Sequence, residues 1–182
     1  MHIDSFHRMT RLSCLLGVVL VVSVLFGCAT YQPSIPKNYT GPRAILRDSV
    51  VIHSRSKADF FYVSHVDGRK MVNSQIQTRT ANEGRGMIMD PVVLQREIPA
   101  QPTRLTIVGR TEYAAPILAL TSAVYEVKGE VEFTPEPNKV YTIRGELDKS
   151  YSAVWVEEDI SKVVVGKKVE VKGSAALGFF EK

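Results

Sequence analysis

The stretch from Tyr125 to Phe133 reads YEVKGEVEF and alternates apolar or small residues with charged ones throughout. Successive side chains of a β-strand point to opposite faces, so the charged residues share one face and the others share the opposite face. This period of two predicts a strand at 125–133 with one face in a core and the other in water. A helix would need a period of 3.6, which this stretch does not have.

The chain turns and comes back after this strand. Two prolines and an asparagine at 135–138 predict the turn. The returning strand is predicted at 140–147, with Tyr141, Ile143 and Leu147 inward and Thr142, Arg144 and Glu146 outward. The two segments together indicate antiparallel neighbours.

Similar short segments, rich in β-branched and aromatic residues, recur about every ten residues with turn residues between them. Further strands are predicted at 44–52, 60–66, 70–73 with a continuation to 80, 92–97, 103–110 and 151–156, with a last hairpin of 162–165 and 167–171. The segment 114–120 is predicted as loop and strand rather than short helix, because Pro116 interrupts it. Eight or nine such strands predict an all-β domain over 44–171, an antiparallel β-sandwich of immunoglobulin-like or related type.

The N-terminal segment has the properties of a signal peptide. His7, Arg8 and Arg11 precede an apolar run at 12–26, which is short for a membrane-spanning helix. The end of this run resembles the lipobox of bacterial lipoproteins, with an aliphatic residue three positions before a cysteine and a small residue directly before it. The residues that match are Leu25, Gly27 and Cys28.

The lipobox resemblance implies that 1–27 are removed and that Cys28 becomes an acylated N-terminal residue. In such signals an aspartate after the cysteine retains the protein in the inner membrane. Ala29 stands there instead, which implies the outer membrane, facing the periplasm. Residues 28–43 contain Pro33, Pro36 and Pro42 and are predicted as a flexible tether. Residues 172–182 are predicted as a loose tail, of which Phe179 and Phe180 could pack back onto the domain.

Composition limits the remaining possibilities. The chain has two cysteines; Cys14 would leave with the signal and Cys28 would carry lipid, so no disulfide or free thiol is expected. Charge is uneven, with 12 Lys/Arg against 6 Asp/Glu over 28–111 and 9 against 12 over 112–182. The basic part could favour anionic partners, but no nucleic-acid footprint is present.

The central and C-terminal blocks resemble a group of uncharacterised envelope lipoproteins of Gram-negative bacteria. The likeness covers most of 44–165 and rests on turn glycines, strand aromatics and one Trp-acid element. The residues that carry it are 59–61, 66–69, 84–86, 96–100, 115–117, Gly129, Tyr141, Gly145 and 154–158. The resemblance implies an envelope location and a β-rich fold, and it implies no particular activity.

Two residues are candidates for ligand contact. Arg85 lies between Gly84 and Gly86, which would let the backbone approach a ligand while the guanidinium pairs with a phosphate or carboxylate. The alternative is a mobile loop tip. Trp155 could be a stacking platform, although a tryptophan on such a strand more often packs in a core.

Other polar residues are weaker candidates. His53 and His65, with Asp48 or Asp67, could bind zinc, and Ser54, Ser56 or Ser64 could join a histidine in a triad, but no nucleophile-elbow motif is present. The acids at 157–159 could bind Ca²⁺, although alternate strand residues point apart. We therefore assign no catalytic residue, metal site or cofactor.

The sequence thus predicts a non-enzymatic lipoprotein anchored to the outer membrane through Cys28. Its domain is expected to bind or support an envelope protein, peptidoglycan or lipopolysaccharide. Three alternatives stay open at this point: an envelope glycan or peptide hydrolase, a metal or small-ligand binder, and a purely structural spacer.

Overall fold

The computed structural model describes residues 30–182, of which Tyr31–Lys182 form one compact unit. The predicted signal peptide and Cys28 lie outside the described residues. Ten strands in two sheets and two short helices make up this part of the chain, so the all-β class is confirmed. Over 30–182, no helix is both long enough and apolar enough to cross a membrane.

The first sheet contains five strands. They are Arg43–Arg47 (β1), Gln95–Pro99 (β5), Val140–Leu147 (β8), Tyr151–Glu158 (β9) and Val164–Lys172 (β10), in the order β10–β9–β8–β1–β5. All neighbours are antiparallel except β1 and β8, which run parallel. The expectation of a wholly antiparallel arrangement is wrong at this pair. Parallel neighbours need a long connection, and here the chain between them builds the whole second sheet.

The second sheet also contains five strands. They are Ser49–Ser54 (β2), Lys57–Val66 (β3), Arg69–Lys70 (β4), Thr103–Tyr113 (β6) and Glu126–Phe133 (β7), in the order β2–β3–β6–β7 with β4 paired to β3. The strand predicted from the YEVKGEVEF stretch is confirmed as β7. Val127 and Val131 are buried, while Lys128, Glu130 and Glu132 on the opposite face are exposed.

The predicted strand 44–52 is instead two strands in different sheets. The chain leaves the first sheet after Arg47 and enters the second at Ser49, with Asp48 between them. The β-branched, apolar run continues across this corner, although β1 buries Ala44 and Leu46 and β2 has no fully buried residue. Pattern alone therefore could not reveal the change of sheet.

The inner faces of the two sheets pack around a shared core. It contains Ala44, Leu46, Phe61, Val63, Val66, Met71, Ile98, Leu105, Ile107, Val127, Val131, Tyr141, Ile143, Val154 and Val156. The inward prediction for Tyr141 and Ile143 is confirmed. Thr142, predicted to face water, is only 5% exposed because Asp159 covers it; the Thr142 hydroxyl donates to Asp159 Oδ1 at 3.2 Å.

Gly129 permits a close approach between the sheets. A Cβ on Gly129 of β7 would lie 2.7 Å from Val169 Cγ1 of β10. Any larger residue would force these strands apart. Gly129 therefore takes the place of a larger inward side chain at the point where β10 packs against β7.

The first helix, α1 (Ser74–Ala81), replaces the predicted continuation of a strand from 70–73 to residue 80, which is wrong. The Asn73 side chain accepts a hydrogen bond from Ile76 N at 3.0 Å and caps the helix, a role that favours asparagine. This helix packs on the outer face of β3, where Ala58, Phe60, Tyr62, Met89 and Val108 form a second, smaller apolar cluster.

Two further predictions are wrong. The segment 114–120 contains a helix, α2 (Pro116–Thr121), because proline fits the first helical turn, where no backbone donor is needed. The hairpin predicted around Gly166 is the single strand β10, with an irregular register between Val165 and Val169. Gly166 has φ +71°, and it opens a bulge rather than a reversal.

Residues 31–42, predicted as part of a flexible tether, are hydrogen bonded across one end of the sheets. Gln32 N donates to Lys70 O at 2.9 Å, and Ala100 N donates to Pro42 O at 2.9 Å. Tyr39 makes a local bond from its hydroxyl to Pro42 O at 2.6 Å. This part of the predicted tether therefore belongs to the folded unit.

The C-terminal residues are attached at the other end. Glu126 N donates to Ala175 O at 3.0 Å, and Leu177 N donates to Val124 O at 2.8 Å. The prediction of a loose tail is thus wrong for 175–177, because main-chain bonds tie it to the start of β7. The suggested packing of the two tail phenylalanines is also wrong, since Phe179 is 61% and Phe180 97% exposed.

Candidate functional site

A groove of about 1000 Å³ crosses the solvent-facing side of the second sheet, beside the β3–β4 turn. It forms because β3, β6 and β7 are neighbours and each turns its polar side chains outward, while α1 covers only another part of this face. The side chains that dominate the groove are His65, Arg104, Thr106, Lys128, Glu130 and Glu132.

Arg104 organises one end of the groove. Its Nε donates to Glu132 Oε1 at 2.8 Å and lies 4.0 Å from Glu130 Oε2, while its backbone N donates to Asp67 Oδ1 at 2.9 Å. The hydrogen bond to Glu132 raises the pKa of the Arg104 guanidinium. Since all these side chains are exposed or half-exposed, the pairs hold side-chain positions rather than contribute much stability.

The other end of the groove offers unengaged groups. His65 Nδ1 shares a hydrogen bond with Ser64 Oγ at 3.0 Å. Within the described part of the chain, no hydrogen bond or ion pair engages the Lys128 ammonium or the Thr106 hydroxyl. A ligand would meet donors and acceptors of both charges here, an arrangement suited to a polar partner that carries amines and carboxylates.

A second recess, of about 410 Å³, lies between α1, β6 and α2. Glu112 forms its base and is buried; it accepts from Arg79 Nη2 at 2.8 Å, from Arg110 Nε at 3.1 Å and from the Gln75 amide. The Tyr62 hydroxyl donates to Gln75 Oε1 at 3.0 Å, and burial raises the pKa of Tyr62. Both oxygens of the Glu112 carboxylate are engaged, Oε1 by Gln75 and Arg110 and Oε2 by Arg79.

His53 and Asp59 form a pair that resembles part of a triad. Their Nε2 and Oδ2 atoms are 2.6 Å apart, and the Thr111 hydroxyl donates to Asp59 Oδ1 at 2.7 Å. The hydroxyls of the nearby Ser54 and Ser56 bond to each other at 3.3 Å, and within 30–182 no serine hydroxyl is hydrogen bonded to His53. The pair lines neither of the two recesses described above.

The remaining candidate acids have separate partners. Glu157 lies 3.8 Å from Arg144, Glu158 accepts from Ser161 N at 2.6 Å, and Asp159 lies 3.4 Å from Arg47. The hydrogen bonds from Ser161 lower the pKa of Glu158. Among residues 30–182 there is no group of three or more His, Cys, Asp or Glu that could hold a metal ion.

The two predicted contact residues lie on different elements, Arg85 in the loop after α1 and Trp155 on β9. Arg85 follows α1, and its guanidinium is engaged by Asn82 Oδ1 at 3.2 Å and Asp90 Oδ2 at 2.6 Å in its own loop. Trp155 lies on the outer face of β9, with Lys168 Nζ 4.2 Å from its ring centroid. Its indole Nε1 is buried and lacks a hydrogen-bond partner within the described residues.

Asp48 is the polar residue whose importance the sequence analysis missed. Its carboxylate accepts from Val63 N at 3.2 Å, Ser74 N at 2.9 Å and Arg96 Nη2 at 2.8 Å. Burial raises the pKa of Asp48, while Arg96 and Ser74 act in the opposite direction. The available signal was a single acid inside the β-branched run of 44–52.

Comparisons with known proteins do not extend these observations. No protein-family model matches the chain, and no curated protein or solved structure is significantly similar to it. The predicted relationship to envelope lipoproteins therefore stays a prediction. Functional proposals rest on Cys28, the groove and the way the domain holds its N-terminal residues.

Proposed function

We propose that the chain is a non-enzymatic lipoprotein of the Gram-negative envelope, acylated at Cys28 and held at the outer membrane facing the periplasm. The observation that carries the proposal is the position of Leu25, Gly27 and Cys28 directly ahead of a folded unit that begins at Tyr31. Two or three acyl chains would make attachment close to permanent, since each buried CH₂ contributes about 0.8 kcal/mol.

The domain would act as a binding or structural module. Charges of both signs in the groove, together with the unengaged Lys128, favour a partner that carries both carboxylates and amines. Peptide segments of an envelope protein or of peptidoglycan have this chemistry, and lipopolysaccharide is the remaining candidate. The shared core of the two sheets supports the finer proposal of an immunoglobulin-like or related sandwich.

The anchor is tested by fractionating cells that express Cys28→Ser and, as a matched control, Cys14→Ser. We expect the full protein and the Cys14 variant in outer-membrane fractions, and the Cys28 variant to lose the acyl mass and leave those fractions. Membrane retention of a non-acylated Cys28 variant would contradict the anchor. Unequal behaviour of the Cys14 variant would point to general damage to the signal.

The partner surface is tested by gentle crosslinking in intact envelopes. Lys128→Glu should remove a crosslinked species that the unchanged protein forms, because it reverses the one unengaged charge of the groove. Lys149→Glu, a charge reversal in the distant β8–β9 turn, is the matched control and should keep that species. An envelope without any crosslinked partner would count against a binding role for the groove.

A further inference from the structure

The first residues of the folded unit are attached to the β3–β4 hairpin. Gln32 N donates to Lys70 O at 2.9 Å, and Arg69 Nη1 donates to Pro33 O at 3.0 Å. Lys70 Nζ lies 5.1 Å from the centroid of the Tyr31 ring. Main-chain and side-chain contacts thus begin at the start of the compact unit.

The segment then continues across the same end of the domain. Ala100 N, in the β5–β6 turn, donates to Pro42 O at 2.9 Å, and Asn138 N, in the β7–β8 turn, donates to Arg43 O at 2.8 Å. These turns and the β3–β4 turn lie at one end, because Val66 pairs with Leu105 and Thr103 with Phe133. The predicted spacer is therefore used to cover this end of the sheets.

Little chain is left to separate the domain from an anchor at Cys28. Only Ala29 and Thr30 stand between Cys28 and Tyr31. Three Cα–Cα steps reach at most about 11 Å, whatever path these residues take. A lipid-bearing Cys28 would therefore hold the hairpin end beside the headgroups.

We propose that the domain lies directly on a phospholipid surface through its β3–β4 end, with Tyr31 and Lys70 as the contact residues. This inference deepens the proposed function and rests on acylation of Cys28. Tyr31 is 42% exposed, and tyrosine prefers the membrane interface because its ring is apolar and its hydroxyl polar. The ammonium of Lys70 can reach lipid phosphates, while the nearby Asp67 carboxylate is 3.4 Å from Arg69.

The orientation has a consequence for the groove. Asp67 and Gly68 form both the hairpin turn and one end of the groove, so that end would open beside the membrane. A partner would reach the groove along the lipid surface or from within the headgroup layer. The opposite end of the domain, at the β8–β9 turn, would point away from the membrane.

Quenching by lipid tests the orientation. If Cys28 is acylated, a new cysteine is the only free thiol of the mature chain, so the acylated protein can be labelled at Gln101→Cys or Lys149→Cys. Both sites are exposed; the first is at the proposed contact end, and the second is about 25 Å away along β8. In vesicles that contain headgroup-nitroxide lipid, we expect quenching at position 101 to be several-fold stronger than at 149.

An insertion tests whether the short connection between Cys28 and Tyr31 is what orients the domain on the lipid surface. About ten Gly and Ser residues between Ala29 and Thr30 add a flexible reach of about 17 Å and should abolish the difference between the labels. Equal quenching at both sites in an acylated protein without the insertion would overturn the orientation and leave the proposed function intact. Absence of the acyl mass at Cys28 would overturn both.

The contact residues are tested by charge reversal in vesicles with anionic lipid. Lys70→Glu should lower the quenching at position 101 at least two-fold, whereas the control Lys149→Glu should leave it unchanged. Tyr31→Ser should act in the same direction as Lys70→Glu. Unchanged quenching in both contact variants would overturn the assignment of these two residues.

Discussion

The corner between β1 and β2 and the β2–β3 hairpin each bury a carboxylate, but in different ways. Asp48, at the corner, has a fully buried side chain and pairs with Arg96, whose side chain is 10% exposed. Asp59, at the hairpin, pairs with His53, whose side chain is 40% exposed. Water can therefore replace the partner of Asp59 and cannot replace the partner of Asp48.

The number of elements joined also differs. The Asp48 carboxylate connects β3, the start of α1 and β5, three segments that are far apart in the chain. Asp59 joins only β2 to β6 across the strand on which it lies. An acid at a change of sheet thus holds separate segments of the fold together, whereas an acid on a paired strand adds to contacts that already exist.

The largest effect is expected for Asp48→Ala. It leaves Arg96 and two backbone donors without their partner, and removing one member of a buried ion pair costs about 3–5 kcal/mol. Denaturant unfolding should show this loss in the free energy of unfolding, and Asp48→Asn should recover part of it. A loss below about 1 kcal/mol would contradict the role of Asp48 in holding these segments together.

A smaller effect is expected for Asp59→Ala. It leaves the buried Thr111 hydroxyl without its acceptor, and an unsatisfied buried group costs about 1–3 kcal/mol. The same unfolding experiment with Thr111→Val alone and combined with Asp59→Ala gives the coupling between the two. If Asp59→Ala costs as much as Asp48→Ala, exposure of the partner is not what separates the two sites.

His53→Ala should cost less than Asp59→Ala. The imidazole is half-exposed, and water can take its place on Asp59 Oδ2, so the loss should stay near or below about 1 kcal/mol. His53→Gln, which keeps a donor, is the matched control and should cost less than His53→Ala. A larger loss for His53→Ala than for Asp59→Ala would reverse the proposed order.

The smallest effect concerns Glu158, the last residue of β9, whose carboxylate accepts from the backbone N–H groups of Ile160 and Ser161. Hydrogen bonds from Ser161 lower the pKa of Glu158 in the folded state, so its stabilisation is complete above the ordinary glutamate pKa of about 4.3 and is lost as the pH falls below it. Thermal melts between about pH 3 and 6 should show a shallower acid dependence for Glu158→Gln than for the unchanged protein. Identical profiles would contradict this assignment.

Some features of the candidate site are predicted by the sequence pattern, and others depend on tertiary contacts. The outward charges of β7 were predictable from alternation, and they form one wall of the groove. The pairing of Arg104 with Glu132 depends on the register between β6 and β7, which no local signal gives. Arg85 was singled out for its flanking glycines, but its own loop engages its guanidinium.

Neither α1 nor α2 was predicted from the sequence. Asn73 and Pro116 each have a clear helix-start role, yet both helices are short and lack an apolar stripe, so periodicity did not detect them. The prediction of a flexible tether was incomplete for a similar reason, because local sequence does not show tertiary contacts. Prolines indicate an extended path at 33–42, but only the turns of the domain determine whether that path is free or bound.

Local sequence patterns were enough to show that this chain is built of strands and that a lipobox-like motif precedes the domain. They also showed that Val127 and Val131, and Tyr141 and Ile143, face the core. These properties depend on the period of side chains along one segment and on short motifs. Only the tertiary structure decided the change of sheet at Asp48, the parallel pairing of β1 with β8 and the attachment of 31–42. Each depends on contacts such as Asp48 with Arg96, 48 positions apart, and backbone periodicity carries no information over that separation.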